Sequence, residues 1–318
     1  MLPSNLKQGE ALVALTLTHK FRQFWLRFAG GLTPYLFLLP GLILFGAFIL
    51  LPMVYSFRIS FYDWNIIRPE RSEYLGFQNY KDIIQWAVFQ RAALNTVIYA
   101  VVTVPAQILL GAGIAILLNQ RIPGQTFFRT VYYLPVITSW VIVTLLFEYL
   151  FNSQAGLINY WLQQIGIIDE PVRWLADDKL AMVPIHLLGI WKGLGWTAVV
   201  MLAGLQSIPR DLYEASSVDG ANTWQQFRKL TLPLMRPTLV FLLVFLTIGA
   251  LNVYISGLLL TNGGDPIDRT HFVLTLMYEE TFEYFEFGRG AAISYLLTGL
   301  IFIISLVQIR LLQREIEY

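Results

Sequence analysis

Gln206–Pro237 reads QSIPRDLYEASSVDGANTWQQFRKLTLPLMRP, a polar island between two apolar runs. Each flanking run is about twenty residues long, enough for a helix to cross the ~30 Å hydrocarbon core of a bilayer. Inside the island the pattern becomes that of two short helices. Ser207 is placed to cap the first, and Pro209 fits its opening turn. Asp211 and Glu214 stand where a helix start favours negative charge. Gly220 suits the left-handed residue wanted at a helix C-terminus. Asn222 or Thr223 caps the second helix, with Gln226 three residues beyond Thr223 as in a capping box. Pro233 and Pro237 are expected to end it before the next apolar run. Leu212, Ser216 and Gly220 share one face at steps of four, and small Ala215, Ser216 and Ser217 permit another backbone to come close. Two readings stand at this point: an ordinary helical loop, or a knob that docks into a groove on another protein.

Composition sets the frame for the island. The chain has 318 residues, 56% hydrophobic and 14% charged, where a soluble domain carries about a quarter charged residues. This is the balance of a polytopic membrane protein. A net charge of +1 gives no global preference for nucleic acid. The absence of cysteine excludes disulfides, thiolate metal sites and cysteine nucleophiles. His19, His186 and His271 are too scattered for a metal signature. No Gly-x-x-x-x-Gly-Lys-Ser/Thr loop, Gly-x-Ser-x-Gly or His-Glu-x-x-His occurs, so neither P-loop nucleotide binding nor the commoner hydrolase chemistries are expected. If transport is driven by ATP, another chain must bind the ATP and magnesium. The island is the natural place for that chain to attach.

Six spans are expected, at about Pro34–Phe57, Thr96–Leu118, Val131–Phe151, Met182–Leu205, Thr238–Leu260 and Ala291–Leu312. Pro34, Pro40 and Pro52 predict a kinked first span, and Pro105 lies inside the second. The fold class is therefore all-α integral membrane, a six-helix bundle with the helix pair between spans four and five. Residues 1–33 read as a cytosolic amphipathic lead-in, 34–312 as the transmembrane domain and 313–318 as a cytosolic tail. Ala11–Thr18 is followed, not preceded, by His19-Lys20-Phe21-Arg22, which argues against a cleavable signal. The segments on the island's side carry more Lys and Arg than Asp and Glu, and the alternate segments show the reverse. Both termini and the island are thus expected in the cytosol. On the other side, Asp63–Arg91 mixes aromatics with charges and is expected to be ordered. Asp265–Arg289 carries Asp265, Asp268, Glu279, Glu280, Glu283 and Glu286, read either as a solvated surface or as part of a landing surface.

Glu214-Ala215-Ser216, then Gly220, then Leu230-Thr231-Leu232-Pro233 resembles the EAA signature of ABC-importer permeases. Ser216 and Leu230 replace the family's second Ala and its Ile. Leu202–Pro209, Leu260–Gly264 and Gly76-Phe77-Gln78-Asn79-Tyr80 are similar to the carbohydrate branch, the maltose and glycerol-phosphate type. The resemblance runs from roughly Pro34 to the C-terminus. It implies an inner-membrane, multi-pass subunit that is not itself an enzyme. Its partners would be cytosolic ABC ATPases holding ATP and magnesium, a second homologous permease and an extracytoplasmic solute-binding protein. It implies ATPase coupling at Leu212, Tyr213, Glu214, Ala215, Ser216, Ser217, Asp219, Gly220, Leu230, Leu232 and Pro233. The solute would be a disaccharide, oligosaccharide or glycosyl-polyol.

Polar residues inside spans are costly and mark function. Lys192, near the middle of span four in Gly189-Ile190-Trp191-Lys192-Gly193-Leu194-Gly195-Trp196, is expected to face a wet cavity or to pair with an acid such as Glu148. Trp191 and Trp196 offer flat faces for sugar rings or serve as packing. Gly189, Gly193 and Gly195 allow close helix contact or an unwound site. Asn252 both donates and accepts, as a sugar hydroxyl demands, and matches a path-lining position of the resembling permeases. The end of span three, Tyr149-Leu150-Phe151-Asn152 with Gly156-Leu157-Ile158-Asn159, also resembles the family, which implies that Tyr149 or Asn152 faces the solute; the alternative is an interfacial anchor. His186 reads as a satisfied interface histidine. The rival reading is an ion-gradient-driven secondary transporter working through Lys192 and Glu148.

Overall fold

The structure is a computed structural model that describes residues 34–120, 123–264, 266 and 269–312. The lead-in, the tail, Arg121, Asp265 and Asp268 lie outside the described residues. Among the described residues five helices are long and apolar enough to cross a bilayer: α1 Pro34–Ile59, α3 Ala87–Asn119, α7 Met182–Gln206, the stretch Arg236–Leu260, and α13 Phe287–Leu312. A sixth span exists if α4 Gln125–Ile137 and α5 Trp140–Leu150, bent by 96°, are counted together. The only strands among the described residues are β1 Tyr62–Asp63 and β2 Glu73–Tyr74, an antiparallel pair.

Residues up to Arg58 and those from Ile59 onward form separate units. In the first, α1 runs on through Pro52 where a kink was expected. Gly46–Leu50 forms a π-turn in which Leu51 N–H reaches Gly46 O. That wider turn lies directly before the proline and accommodates its missing donor.

In the second unit the helices pack through small residues. α3 lies along α7. A side chain at Gly111 would strike Thr197, one at Gly189 would strike Tyr99, and one at Gly193 would strike Gln107. Gly195 sits against Tyr132 O of α4, and Gly204 against Met235 and Thr238. The glycines of span four therefore serve close packing, and the helix there stays wound. Gln107 Nε2 donates to Gly189 O at 3.1 Å, satisfying a buried amide between the two helices. Tyr99, Val104, Ile185, Leu188, Met201, Leu242, Leu251 and Phe272 form the main core. Ile83, Ala92, Val273, Leu276 and Ile293 form a second, toward α13.

Three elements fill the segments that connect spans one to two and three to four. The hairpin's return enters α2 (Gln78–Gln85) through Gly76, whose φ of +57° is left-handed. Asn79 is buried and donates to Ser60 O and Tyr62 O, both at 3.0 Å, bracketing the hairpin against α13, where Gly288 meets Tyr62 O. α6 (Leu157–Gln164) follows span three, with Asn159 bonded to Val172 and Trp174.

Two spans depart from the expected single helices. Span three is α4 and α5 with a corner at Thr138 and Ser139. Span five is α10 (Arg236–Leu251) and α11 (Ile255–Leu260), separated at Asn252–Tyr254. Span two begins at Ala87 rather than Thr96 and passes through Pro105 without ending.

Candidate functional site

The island folds as α8 (Arg210–Val218) and α9, which starts at Thr223 and runs through a π-turn at Phe227–Thr231 into Leu232–Leu234. The first cap differs from expectation. Pro209 is the N-cap, and Ser207, still in helical conformation, donates from Oγ to Gly204 O at 2.8 Å and closes α7 instead. Gly220 has φ +81°. Ala221 N bonds Ser216 O and Gly220 N bonds Ser217 O, the paired bonds of a Schellman ending. Asn222 caps α9 in a capping box with Gln225 rather than Gln226. Pro233 follows the π-turn one residue before α9 ends at Leu234, while Pro237 lies in the first turn of the next helix, where a proline sacrifices no intrahelical donor.

Gln226 is used to join the two helices. Its Nε2 donates to Ser217 Oγ at 2.8 Å and Ser216 Oγ at 3.0 Å, and Tyr213 Oη lies 2.9 Å from Thr231 Oγ1. Ser216 and Ser217 both donate to Tyr213 O. Ser216, half-buried, and Ser217, exposed, thus tie the two helices of the elbow together. Its outward residues are Leu212, Glu214, Ala215, Asp219, Gly220, Leu232 and Pro233, with Leu230 half-buried. Two exposed side chains passed over in the sequence join them: Val218, 89% exposed, and Trp224, 66% exposed. A solvent-facing Trp next to a capping box was the available signal.

A cavity of about 740 Å³ opens between α3, α4, α5, α7, α10 and the break after Leu251. Lys192, Trp196 and Asn252 line it, as do Tyr99, Gln107, Trp140, Phe245, Tyr254, Ser256, Tyr278 and Phe282. The aromatics contact one another as tilted pairs. Tyr254, Tyr278 and Phe282 follow one another at 5.4 and 5.1 Å between centroids, and Trp196 lies 5.7 Å from Phe245. Asn252 Nδ2 donates to Ile248 O at 2.7 Å, leaving the amide oxygen as acceptor. Gln107 was missed although an amide in mid-span carries the same signal as Asn252.

Lys192 does not pair with Glu148. Its buried ammonium donates to Pro135 O at 2.6 Å, Thr138 O at 2.7 Å and Val136 O at 3.3 Å. Glu148 and Asn152 line a separate recess of about 430 Å³ with Arg173, Ser153 and Asn262. Asn152 Oδ1 is occupied by Gln154 N and Ala155 N. Tyr149 is exposed, and Trp191 packs on Phe147 at 5.8 Å; neither lines the cavity. His186 Nδ1 donates to Met182 O, while Nε2 is buried without a hydrogen bond.

In the segment between spans five and six, Glu280 is not solvated. It is buried beside Arg289, Oε2 to Nε 3.3 Å, and the Arg289 guanidinium lies 4.6 Å over Trp86. The contact is ionic, since its geometry is not that of a hydrogen bond. Burial pushes the Glu280 carboxyl up, with Glu286 and Glu279 adding to the shift and Arg289 opposing it. Arg269 pairs with Asp178.

A bundle of crossing helices around a central cavity, with a stitched polar elbow between two spans, defines a membrane transport subunit that meets another protein. The chain belongs to the family of binding-protein-dependent transport system inner membrane components, whose model matches residues 89–317. It is 32% identical over 276 residues to the trehalose/maltose transport system permease protein MalF of Thermococcus litoralis, covering 87% of this chain and 92% of that one. It is 31% identical over 291 residues to the sulfoquinovosyl glycerol transport system permease protein SmoG of Agrobacterium fabrum, covering 92% and 94%. A crystal structure of a bacterial ABC transporter involved in import of the acidic polysaccharide alginate superposes with TM-score 0.76 at 25% identity, over 93% of this chain and 100% of that chain.

Proposed function

We propose that this chain is one of two permease subunits of an ATP-driven importer for a sugar or sugar-like solute, a disaccharide, oligosaccharide or glycosyl-polyol. Cytosolic ATPase subunits grip the elbow at Leu212–Pro233, and an external binding protein delivers the solute. Closure of the ATPases on ATP rotates this subunit against a second permease, and the central cavity alternates between the two sides. The chemistry of hydrolysis resides in the ATPases.

The observation that carries the proposal is the elbow. A pair of short helices locked by internal hydrogen bonds presents Leu212, Val218 and Trp224 outward, an arrangement suited to lying in a groove. The cavity supports the solute class. Aromatic faces beside neutral amide and hydroxyl groups suit an amphipathic ring with many hydroxyls. The ion-driven reading finds no acid partner for Lys192 among the described residues. Purifying the chain from detergent with its complex intact tests the proposal. An ATPase should accompany it, and Glu214→Lys or Gly220→Trp should abolish uptake and solute-stimulated ATP hydrolysis while the chain still inserts. Normal uptake by both variants would refute the coupling role.

A further inference from the structure

The corner of span three is where a broken helix leaves its backbone open. α4 ends at Ile137, and α5 departs at 96°. The last carbonyls of α4 therefore have no partner farther along the helix. Lys192 supplies the partners. An ammonium has three donors, and Pro135 O, Val136 O and Thr138 O use all of them. A cation at this point also meets the negative end of the α4 dipole. The same ammonium lies 5.1 Å from the ring centroid of Trp140, the first residue of α5. One side chain from α7 thus touches both halves of the broken span. Val136 and Trp140, one from each half, are cavity wall.

We propose that Lys192 is a positioning residue that fixes the corner of span three, and with it the Val136–Trp140 face of the cavity, and that it does not bind the solute. This rests on reading the cavity as the solute path. One consequence concerns substrate class. Lys192 is the only Asp, Glu, Lys or Arg among the described residues lining the cavity, and its donors are spent. The wall that this chain contributes therefore recognises uncharged rings and hydroxyls, not an anionic group.

The chain's lack of cysteine allows a direct test. Val136→Cys is placed in the assembled transporter, and its alkylation by a small thiol reagent is followed without solute or ATP. Combining it with Lys192→Met should change the alkylation rate by roughly tenfold, the scale set by losing hydrogen bonds to a charged group. Lys192→Arg, which keeps donors and charge, should restore most of the original rate. Trp140→Leu removes the ring contact, and part of the wall with it, while leaving the three Lys192 hydrogen bonds, and should shift the rate in the same direction by less. If Lys192→Met fails to accumulate, Trp140→Leu decides: an unchanged rate overturns the proposal. It is equally overturned if Lys192→Met leaves the alkylation rate unchanged but selectively abolishes uptake of an anionic solute, because the ammonium would then be meeting the solute itself. The alkylation readout needs no solute. A transporter that carries something other than a sugar would thus fail the functional reading and leave this one standing.

Discussion

At the scale of single residues, Glu280 shows how context reverses the reading of a charge. In the sequence it is one of several acids in an outer segment, and acids in a loop read as solvated. In the structure it sits in the π-turn that extends α12 (Val273–Tyr278) and packs against α13, and among the described residues only Arg289 answers its charge. The folded carboxyl holds its proton more tightly than an exposed one because burial disfavours the anion and Glu286 and Glu279 add repulsion. The sign follows from linkage. The folded state binds more proton than the unfolded state across the window from the ordinary carboxylate range up to the raised value, so this group's contribution to stability falls as pH rises through that window. We expect the thermal midpoint of the detergent-solubilised complex to decline through this window, and Glu280→Gln to flatten that part of the decline. An unchanged slope in the Gln variant would place the titrating group elsewhere. Gly195 makes a second residue-scale case. Its missing side chain lets Tyr132 O approach, whereas Gly113 faces open space. Gly195→Ala should lower stability by about 1–3 kcal/mol through overpacking, and Gly113→Ala should not lower it, as thermal unfolding of the two variants side by side would read.

At the scale of elements, the elbow and the broken spans divide what a sequence discloses. The existence of α8 and α9 follows from local chemistry: Gly220 at a left-handed position, Asn222 as a cap and a polar composition between apolar runs. These signals act within a few residues and need no neighbour. The stitching by Gln226 was not legible, since its partners Ser216 and Ser217 lie across the turn and their small size read equally well as a docking face. The corner of span three was hidden for a different reason. Hydropathy continues through Thr138 and Ser139, and what stabilises the open carbonyls there is Lys192, more than fifty residues away. Span five likewise read as continuous, although Asn252 within its break was singled out as polar. The aromatic wall was illegible because aromatics are 15% of the chain and lie on every face. The elbow makes its own prediction. Gln226→Ala removes the amide that joins α8 to α9, each such neutral bond contributing about 1 kcal/mol. Solute-stimulated ATP hydrolysis should fall several-fold while the permease still inserts and still copurifies with the ATPase. Full stimulation in the variant would mean that α9 alone holds the geometry.

At the scale of the whole molecule, the remaining question is which way the chain is threaded. Hydropathy places the spans, but direction depends on the Lys and Arg balance of the connecting segments. Arg210, Arg228, Lys229 and Arg236 surround the elbow, and the opposite segments are richer in acid. From that balance the elbow is expected inside the cell and the α6 end outside. Both ends offer exposed positions, Asp219 in the elbow and Ile167 just beyond α6. In a chain without cysteine, a single Cys at either position reports its own side of the membrane. A membrane-impermeant thiol reagent should label Asp219→Cys only in inside-out vesicles and Ile167→Cys only in right-side-out vesicles. ATPase assembly on inside-out membranes should protect Asp219→Cys and leave Ile167→Cys unaffected. A reversed labelling pattern would put the elbow out of reach of any ATP-driven motor, and with it the proposed coupling through Leu212–Pro233 would fall, whatever the cavity carries.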